Sequence, residues 1–164
     1  MVLSKPQKLI YETEQFAGGS VSVICGLILK NGRANAPTLQ KAINELYRLN
    51  DALRISVTTI DGEPVQSVLD YQEHIIDILR FSNKAELDCY GESYARKAID
   101  LFGNLCEFKV VLLPEQYGVL IKLHHIIGDA WSLALLANQL NELLDGKSPE
   151  AFSYTDYLKS ERIR

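Results

Sequence analysis

The chain has 164 residues, enough for one compact domain with its own hydrophobic core. Apolar residues make up 47% and charged residues 23%, and a net charge of -4 argues against nucleic acid as a partner, because phosphate binding needs clustered Lys and Arg. No stretch approaches the ~18 uninterrupted apolar residues of a membrane span, Met1 to Glu14 lacks the apolar core of a signal peptide, and the three cysteines form no CxxC pair, so a cytoplasmic protein without a membrane span is expected.

Residues 5–16 read as a short helix or an extended lead-in, broken by Ala17-Gly18-Gly19-Ser20. Gly18-Gly19-Ser20 precedes a strand rather than a helix, so it does not read as a phosphate loop. Val21 to Leu29 is β-rich, and Asn31-Gly32 turns the chain. A helix is predicted from about Pro37 to Leu49, with Leu39, Ala42, Ile43 and Leu46 at helical spacing. Leu53–Ile60 and Pro64–Leu69 flank Asp61-Gly62, a strong hairpin signal.

His74–Phe81 reads as a further strand, and Asn83–Ile99 as a helix interrupted at Gly91. Cys106–Leu113 and Gly118–Ile127 form a second hairpin around Pro114-Glu115-Gln116-Tyr117. A helix follows over Ala130–Leu144, with Leu133, Leu136, Ala137, Leu140, Leu143 and Leu144 as its apolar stripe. Asn138, Gln139, Asn141, Glu142 and Asp145 form its wet face, and Gly146 stops it. A short helix closes the tail around Tyr154–Arg162. This order gives an α+β fold, with helices packed on a mostly antiparallel sheet.

The stretch His124-His125-Ile126-Ile127-Gly128-Asp129-Ala130-Trp131-Ser132 concentrates the chemistry, since it holds two of the three histidines. Side chains alternate along a strand, so His125 falls with Leu123 and Ile121, and His124 with Lys122. One imidazole is then free to face a reacting centre while the other is structural. Histidine suits general-base work because its ordinary pKa lies near neutrality. Asp129 sits at a helix start, where free amides favour a carboxylate, and it can also pair with an arginine such as Arg54.

Plainer readings stand beside these. A His-His pair in a strand serves as a satisfied core or edge group, and Asp129 as a simple N-cap. A metal site lacks a third nearby ligand, since His74 is the only other histidine, so no metal is expected. Cys25 and Cys106 read as small core residues, with a cysteine nucleophile as the alternative. Ser132 has no nucleophile elbow around it, Glu12 and Glu14 read as a solvated face, and Trp131 reads as a packing anchor.

The His124–Ser132 stretch resembles the HHxxxDG signature of condensation domains in nonribosomal peptide synthetases. Leu3-Ser4-Lys5-Pro6-Gln7-Lys8 with Tyr11-Glu12-Thr13-Glu14-Gln15 is similar to the N-terminal motif of those domains. Asn50-Asp51-Ala52-Leu53-Arg54 followed by Asp61-Gly62-Glu63-Pro64-Val65-Gln66 resembles their "HEALRT…DGEPVQ" block, and Ile99-Asp100-Leu101 their "FDL". Four blocks in register cover nearly the whole chain. The final motif glycine is replaced by Ala130, a mild change that the family includes.

The resemblance implies a chloramphenicol-acetyltransferase-like lobe. It implies amide formation between an acyl or peptidyl thioester and the amine of an aminoacyl thioester, both on phosphopantetheine arms of partner carrier domains, with no cofactor bound to the chain itself. His125 is implied as catalytic, His124 and Asp129 as supports, and Arg54 as the clamp on Asp129. The implied setting is antibiotic or lipopeptide biosynthesis, with Tyr11-Glu12-Thr13-Glu14 and Ala130 hinting at a starter type. The implied partners are donor and acceptor peptidyl carrier domains, an adenylation domain and a second lobe.

The chain ends near Tyr154-Thr155-Asp156-Tyr157-Leu158, where the first lobe of that family ends. Residues 1–164 are therefore expected to be an N-terminal lobe, an excised piece or a naturally short protein, inactive without the C-terminal lobe. Two alternatives remain open: a stand-alone acyltransferase of the same superfamily that uses acyl-CoA, and a non-catalytic binding or assembly module.

Overall fold

A computed structural model of the chain describes residues 1–17 and 22–161. Helix α1, Lys5–Ala17, settles the choice between helix and extended lead-in, and Pro6 lies in its first turn, where a missing N–H costs nothing. The break at Gly18-Gly19-Ser20 and the start of the first strand at Val21 fall outside the described residues. Strand β1 spans Val23–Asn31 and α2 spans Ala36–Leu49. The predicted stripe Leu39, Ala42, Ile43 and Leu46 is buried, together with Tyr47.

A single 3₁₀ turn, Asp51–Arg54, leads into the hairpin of β2 (Ile55–Ile60) and β3 (Glu63–Val68). Asp61 and Gly62 both take positive φ, 52° and 83°, as the tight two-residue turn requires. This hairpin forms its own two-stranded sheet. Strand β4 is shorter than expected, Asp77–Arg80. The segment before it is tied to α2 instead: Asn44 Oδ1 accepts the His74 N–H at 2.7 Å, and the His74 ring stacks on Tyr47 at 3.8 Å.

Helix α3, Lys84–Arg96, runs through Gly91 without the expected interruption. Asn83 caps it by accepting the Glu86 N–H at 3.0 Å. Strands β5 (Cys106–Leu112) and β6 (Gln116–His124) complete a four-stranded sheet in the order β1-β6-β5-β4. Its pairings are antiparallel except for β4 with β5, where α3 supplies the crossover that parallel strands need. A Cβ at Gly118 would stand 1.8 Å from the Ile28 carbonyl oxygen, so β1 lies against β6 there only because residue 118 has no side chain.

Helix α4 spans Ala130–Leu144, as the stripe predicts, and Gly146 follows it at φ 76°. Gln139 departs from the predicted wet face: it is buried, accepting from Asn50 Nδ2 and donating to the Glu150 carbonyl, both at 2.8 Å. Helix α5, Tyr154–Glu161, is held by Asp51, whose carboxylate accepts the Tyr154 and Thr155 amides at 2.6 and 3.2 Å.

The sheet has two covered faces. Cys106, Phe108 and Val110 of β5, with Val119, Ile121 and Leu123 of β6, meet Leu39, Ile43 and Leu46 of α2 and Leu136 and Leu140 of α4 in one core. On the opposite face Val111 and Leu120 meet Leu87 and Tyr94 of α3. Strand alternation places Lys122 and His124 on this second side, and both are fully buried. Lys122 Nζ donates to the Tyr94 carbonyl at 2.9 Å and lies 4.4 Å from the Tyr94 ring centre. The Tyr94 hydroxyl donates to Glu107 at 2.7 Å. No described helix is long and apolar enough to cross a membrane.

Candidate active site at the end of strand β6

Strand β6 ends at His124, and residues 125–127 turn the chain toward α4. The peptide groups of this turn are tied on every side. The His125 N–H donates to the Ser22 carbonyl at 2.7 Å, and the Ile127 N–H donates back to the His124 carbonyl at 3.1 Å. The Ile126 N–H donates to Nδ1 of His124 at 3.1 Å. The Ile126 carbonyl accepts from Gln7 Nε2 at 3.0 Å. Gly128 then lets the chain press against α4, since a Cβ there would stand 3.0 Å from Ser132 Cβ.

The two histidines have opposite surroundings. His125 is exposed in the wall of a groove of about 600 Å³. The groove runs between Pro6 and Gln7 of α1, the turn, Leu135 and Leu136 of α4, and Tyr154 and Tyr157 of α5. His124 is wholly buried. Its Nδ1 accepts a hydrogen bond and so carries no proton, which puts the ring proton of the neutral form on Nε2. Nε2 stands 3.1 Å from Glu14 Oε1, at ion-pair distance though not aligned as a full hydrogen bond. Burial pushes the His124 pKa below the ordinary histidine value, and the Glu14 carboxylate works against that shift.

Asp129 is the N-cap of α4. It accepts the Ser132 N–H at 3.0 Å, and Ser132 Oγ accepts the Asp129 N–H at 3.2 Å, a reciprocal capping box. Chiefly the Ser132 amide, with the Ser132 hydroxyl and the Trp131 amide adding to it, holds the Asp129 carboxyl below the usual carboxylate range. The expected ion pair with Arg54 does not form. Arg54 donates from Nε to the Tyr47 carbonyl at 3.1 Å and from Nη1 to the Leu69 carbonyl at 2.6 Å. Its cation is drawn to the carbonyl-rich end of α2, where it fastens the β2–β3 hairpin to that helix, and it lines a different cavity from His125.

Other sequence readings change here. Trp131 is not a packing anchor: it is 84% exposed on the first turn of α4. Ser132 serves the cap. Cys106 is buried and Cys25 half-buried, and burial pushes the Cys106 thiol up to about 12, which removes it as a nucleophile near neutral pH. Among the described residues no three His, Cys, Asp or Glu side chains gather in a metal-binding group.

Two buried polar residues of α1 escaped the sequence reading. Glu14 is 4% exposed rather than solvated, and Gln7 is 3% exposed. Gln7 and Gln66 exchange side-chain hydrogen bonds at 2.8 and 2.9 Å, which joins α1 to strand β3. The signal was available: residues 7 and 14 are two helical turns apart and fall on the face that also carries Ile10 and Tyr11.

The family profile of the condensation domain matches residues 1–163, and the chain belongs to that family. Tyrocidine synthase 3 of Brevibacillus parabrevis is 31% identical over 163 residues, which are 94% of this chain and 2% of that protein. Bacitracin synthase 3 of Bacillus licheniformis is 28% identical over 167 residues, 98% of this chain and 3% of that protein. Among solved structures, the starter condensation domain of the rhizomide synthetase superimposes with a TM-score of 0.84 at 19% identity, covering 98% of this chain and 44% of that one. A condensation-domain structure from the enacyloxin polyketide synthase gives 0.75 at 26% identity, over 87% of this chain and 29% of that one. The chain thus spans a small part of its curated relatives and less than half of the solved domain. The fold is α+β, as expected, and is shared with the solved condensation domains.

Proposed function

We propose that residues 1–164 form the N-terminal, histidine-bearing lobe of a condensation domain that makes amide bonds in nonribosomal peptide synthesis. The amine of a carrier-bound aminoacyl thioester attacks the carbonyl carbon of a carrier-bound acyl or peptidyl thioester. The C–N bond forms, the C–S bond breaks, the amine proton is released, and the donor carrier's phosphopantetheine leaves as a thiol. The observation that carries this reading is His125, exposed to a groove while the peptide groups around it are fixed. Such a side chain can take the amine proton or hold the amine in line for attack without reorganising at the moment of reaction. An α-amine has a pKa near 8, so modest help suffices.

In this reading His124, Asp129 and Arg54 support the site from a distance. His124 holds the turn from beneath, Asp129 starts α4, and Arg54 fastens the neighbouring hairpin. A C-terminal lobe supplies the opposite wall, and the lobe alone does not turn over. The partners are donor and acceptor carrier domains, with an adenylation domain loading the acceptor.

The test is a single-turnover assay with acyl-loaded and aminoacyl-loaded carrier proteins, the chain being joined to a condensation-domain C-terminal lobe. Amide product is expected from the wild type and at least about 100-fold less from a folded His125→Ala variant. Wild-type rates from that variant overturn the assignment of His125. Product made by the 164-residue chain alone overturns the need for a second lobe.

A further inference from the structure

His125 faces the groove, and a buried carboxylate from the other end of the sequence lies behind the turn that carries it. Glu14 projects from the last part of α1 into the interior beneath the turn and is 4% exposed. Burying a carboxylate is costly unless its oxygens are matched by donors. Here one oxygen, Oε1, meets two groups: it accepts the Ser22 N–H at 3.1 Å and stands 3.1 Å from Nε2 of His124. Each of these leads to the backbone beside His125. The Ser22 carbonyl accepts the His125 N–H at 2.7 Å, and Nδ1 of His124 accepts the Ile126 N–H at 3.1 Å.

We propose that Glu14 is a positioning residue for His125, acting through the Ser22 backbone on one side and the His124 ring on the other. The inference rests on the reading of His125 as the side chain that acts. The carboxylate draws the single ring proton of His124 to Nε2, which leaves Nδ1 as an acceptor for Ile126. With the opposite tautomer two N–H groups would face each other and the turn would open. The same oxygen sets the distance between Ser22 and the end of β6, and so the height at which residue 125 leaves the sheet. Glu14 does not line the groove and does no chemistry itself.

Three variants of the 164-residue chain separate this role from simple core filling. Glu14→Ala removes reach and charge, Glu14→Asp keeps charge but shortens reach, and Glu14→Gln keeps an acceptor oxygen at the same reach. Amide hydrogen exchange at His125 and Ile126 is expected to speed up about tenfold in Glu14→Ala and Glu14→Asp, and to stay within about threefold of wild type in Glu14→Gln. Amides of Val110 and Ile121 in the middle of the sheet are the control and should not change. Nitrogen spectra of the labelled imidazoles should show the Nε2–H tautomer of His124 in wild type and Glu14→Gln, and a mixture in the other two. In the two-lobe condensation assay, Glu14→Asp should lower kcat about 10- to 100-fold with KM unchanged, since misplacing a catalytic group acts on the reaction rather than on binding.

Exchange and tautomer unchanged in both Glu14→Ala and Glu14→Asp overturn the proposal. So does a normal kcat in a Glu14→Asp variant whose turn has loosened. If Glu14→Ala fails to fold, Glu14→Asp and Glu14→Gln still decide. If the wild-type two-lobe enzyme makes no amide, the reading of His125 fails on its own, while exchange and tautomer still report whether Glu14 sets the turn.

Discussion

The two faces of the four-stranded sheet bury their side chains by different means. Toward α2 and α4, β6 contributes Val119, Ile121 and Leu123 to one hydrophobic cluster. Toward α3 the same strand contributes Leu120 and Lys122, and His124 follows on that side of the strand at its end. The first face needs only volume to be filled. The second needs each polar group to find a named partner: the Tyr94 carbonyl and ring for Lys122, Ile126 and Glu14 for His124. The polar side grows toward the end of the strand, where the chain turns and exposes His125. His125 itself, the next residue along, falls with Ile121 and Leu123 on the other side and faces the groove.

This contrast can be broken from either side. Ile121→Ala on the apolar face should have the largest effect, a loss of about 3 kcal/mol by denaturant unfolding, because it deletes buried methylenes and leaves a cavity. Lys122→Ala on the polar face should cost about 2 kcal/mol, through lost packing of its stem and lost contacts to Tyr94. Lys122→Met should recover all but about 1 kcal/mol of that, since an apolar side chain of similar length fills the same space without a charge to satisfy. If Lys122→Met is as damaging as Lys122→Ala, the ammonium itself matters and the comparison sharpens.

Smaller effects follow at the strand end. His124 is neutral in the folded protein and its pKa is depressed chiefly by burial, against the pull of Glu14 and Asp100 and with the push of His125. As pH falls below about 6.5 the unfolded chain takes up a proton that the folded chain refuses, so stability should decline from there down to the depressed folded pKa. Denaturant midpoints measured from pH 7.5 to 5 should show this decline, and it should shrink in His124→Asn, whose Oδ1 can take the Ile126 N–H. Asp129→Ala should cost the least, about 1 kcal/mol, as the loss of a helix N-cap. A much larger loss would mean that Asp129 has a partner other than Ser132.

Sequence pattern captured the elements whose neighbours lie close in the chain. The stripe of α4 gives its two ends, and Asp61-Gly62 gives the β2–β3 hairpin, because both depend on local geometry. Strand β4 was blurred because its partner, β5, lies beyond a whole helix and the segment before it is tied to α2. Alternation along β6 separates His124 from His125, and the structure buries the first and exposes the second. Arg54 and Asp129 are both short of donors or acceptors in the sequence, and pairing them was natural; each found nearer partners in the backbone of its own surroundings. The partners of Glu14 are distant, Ser22 eight residues on and His124 in the last third of the chain, and only its place on the Ile10 and Tyr11 face of α1 marks it as pointing inward.

Gln7 has a consequence for the order in which the molecule is assembled. Its side chain joins Gln66 across 59 residues and Ile126 across 119. Bonds between such distant positions form only after the intervening chain has been ordered, because the entropy of closing so long a loop must first be offset by other contacts. During synthesis α1 must therefore wait, its polar face unmatched, until β6 has left the ribosome. The groove that holds His125 is then among the last parts of the chain to acquire its shape, and a variant that folds slowly would reveal itself there before anywhere else.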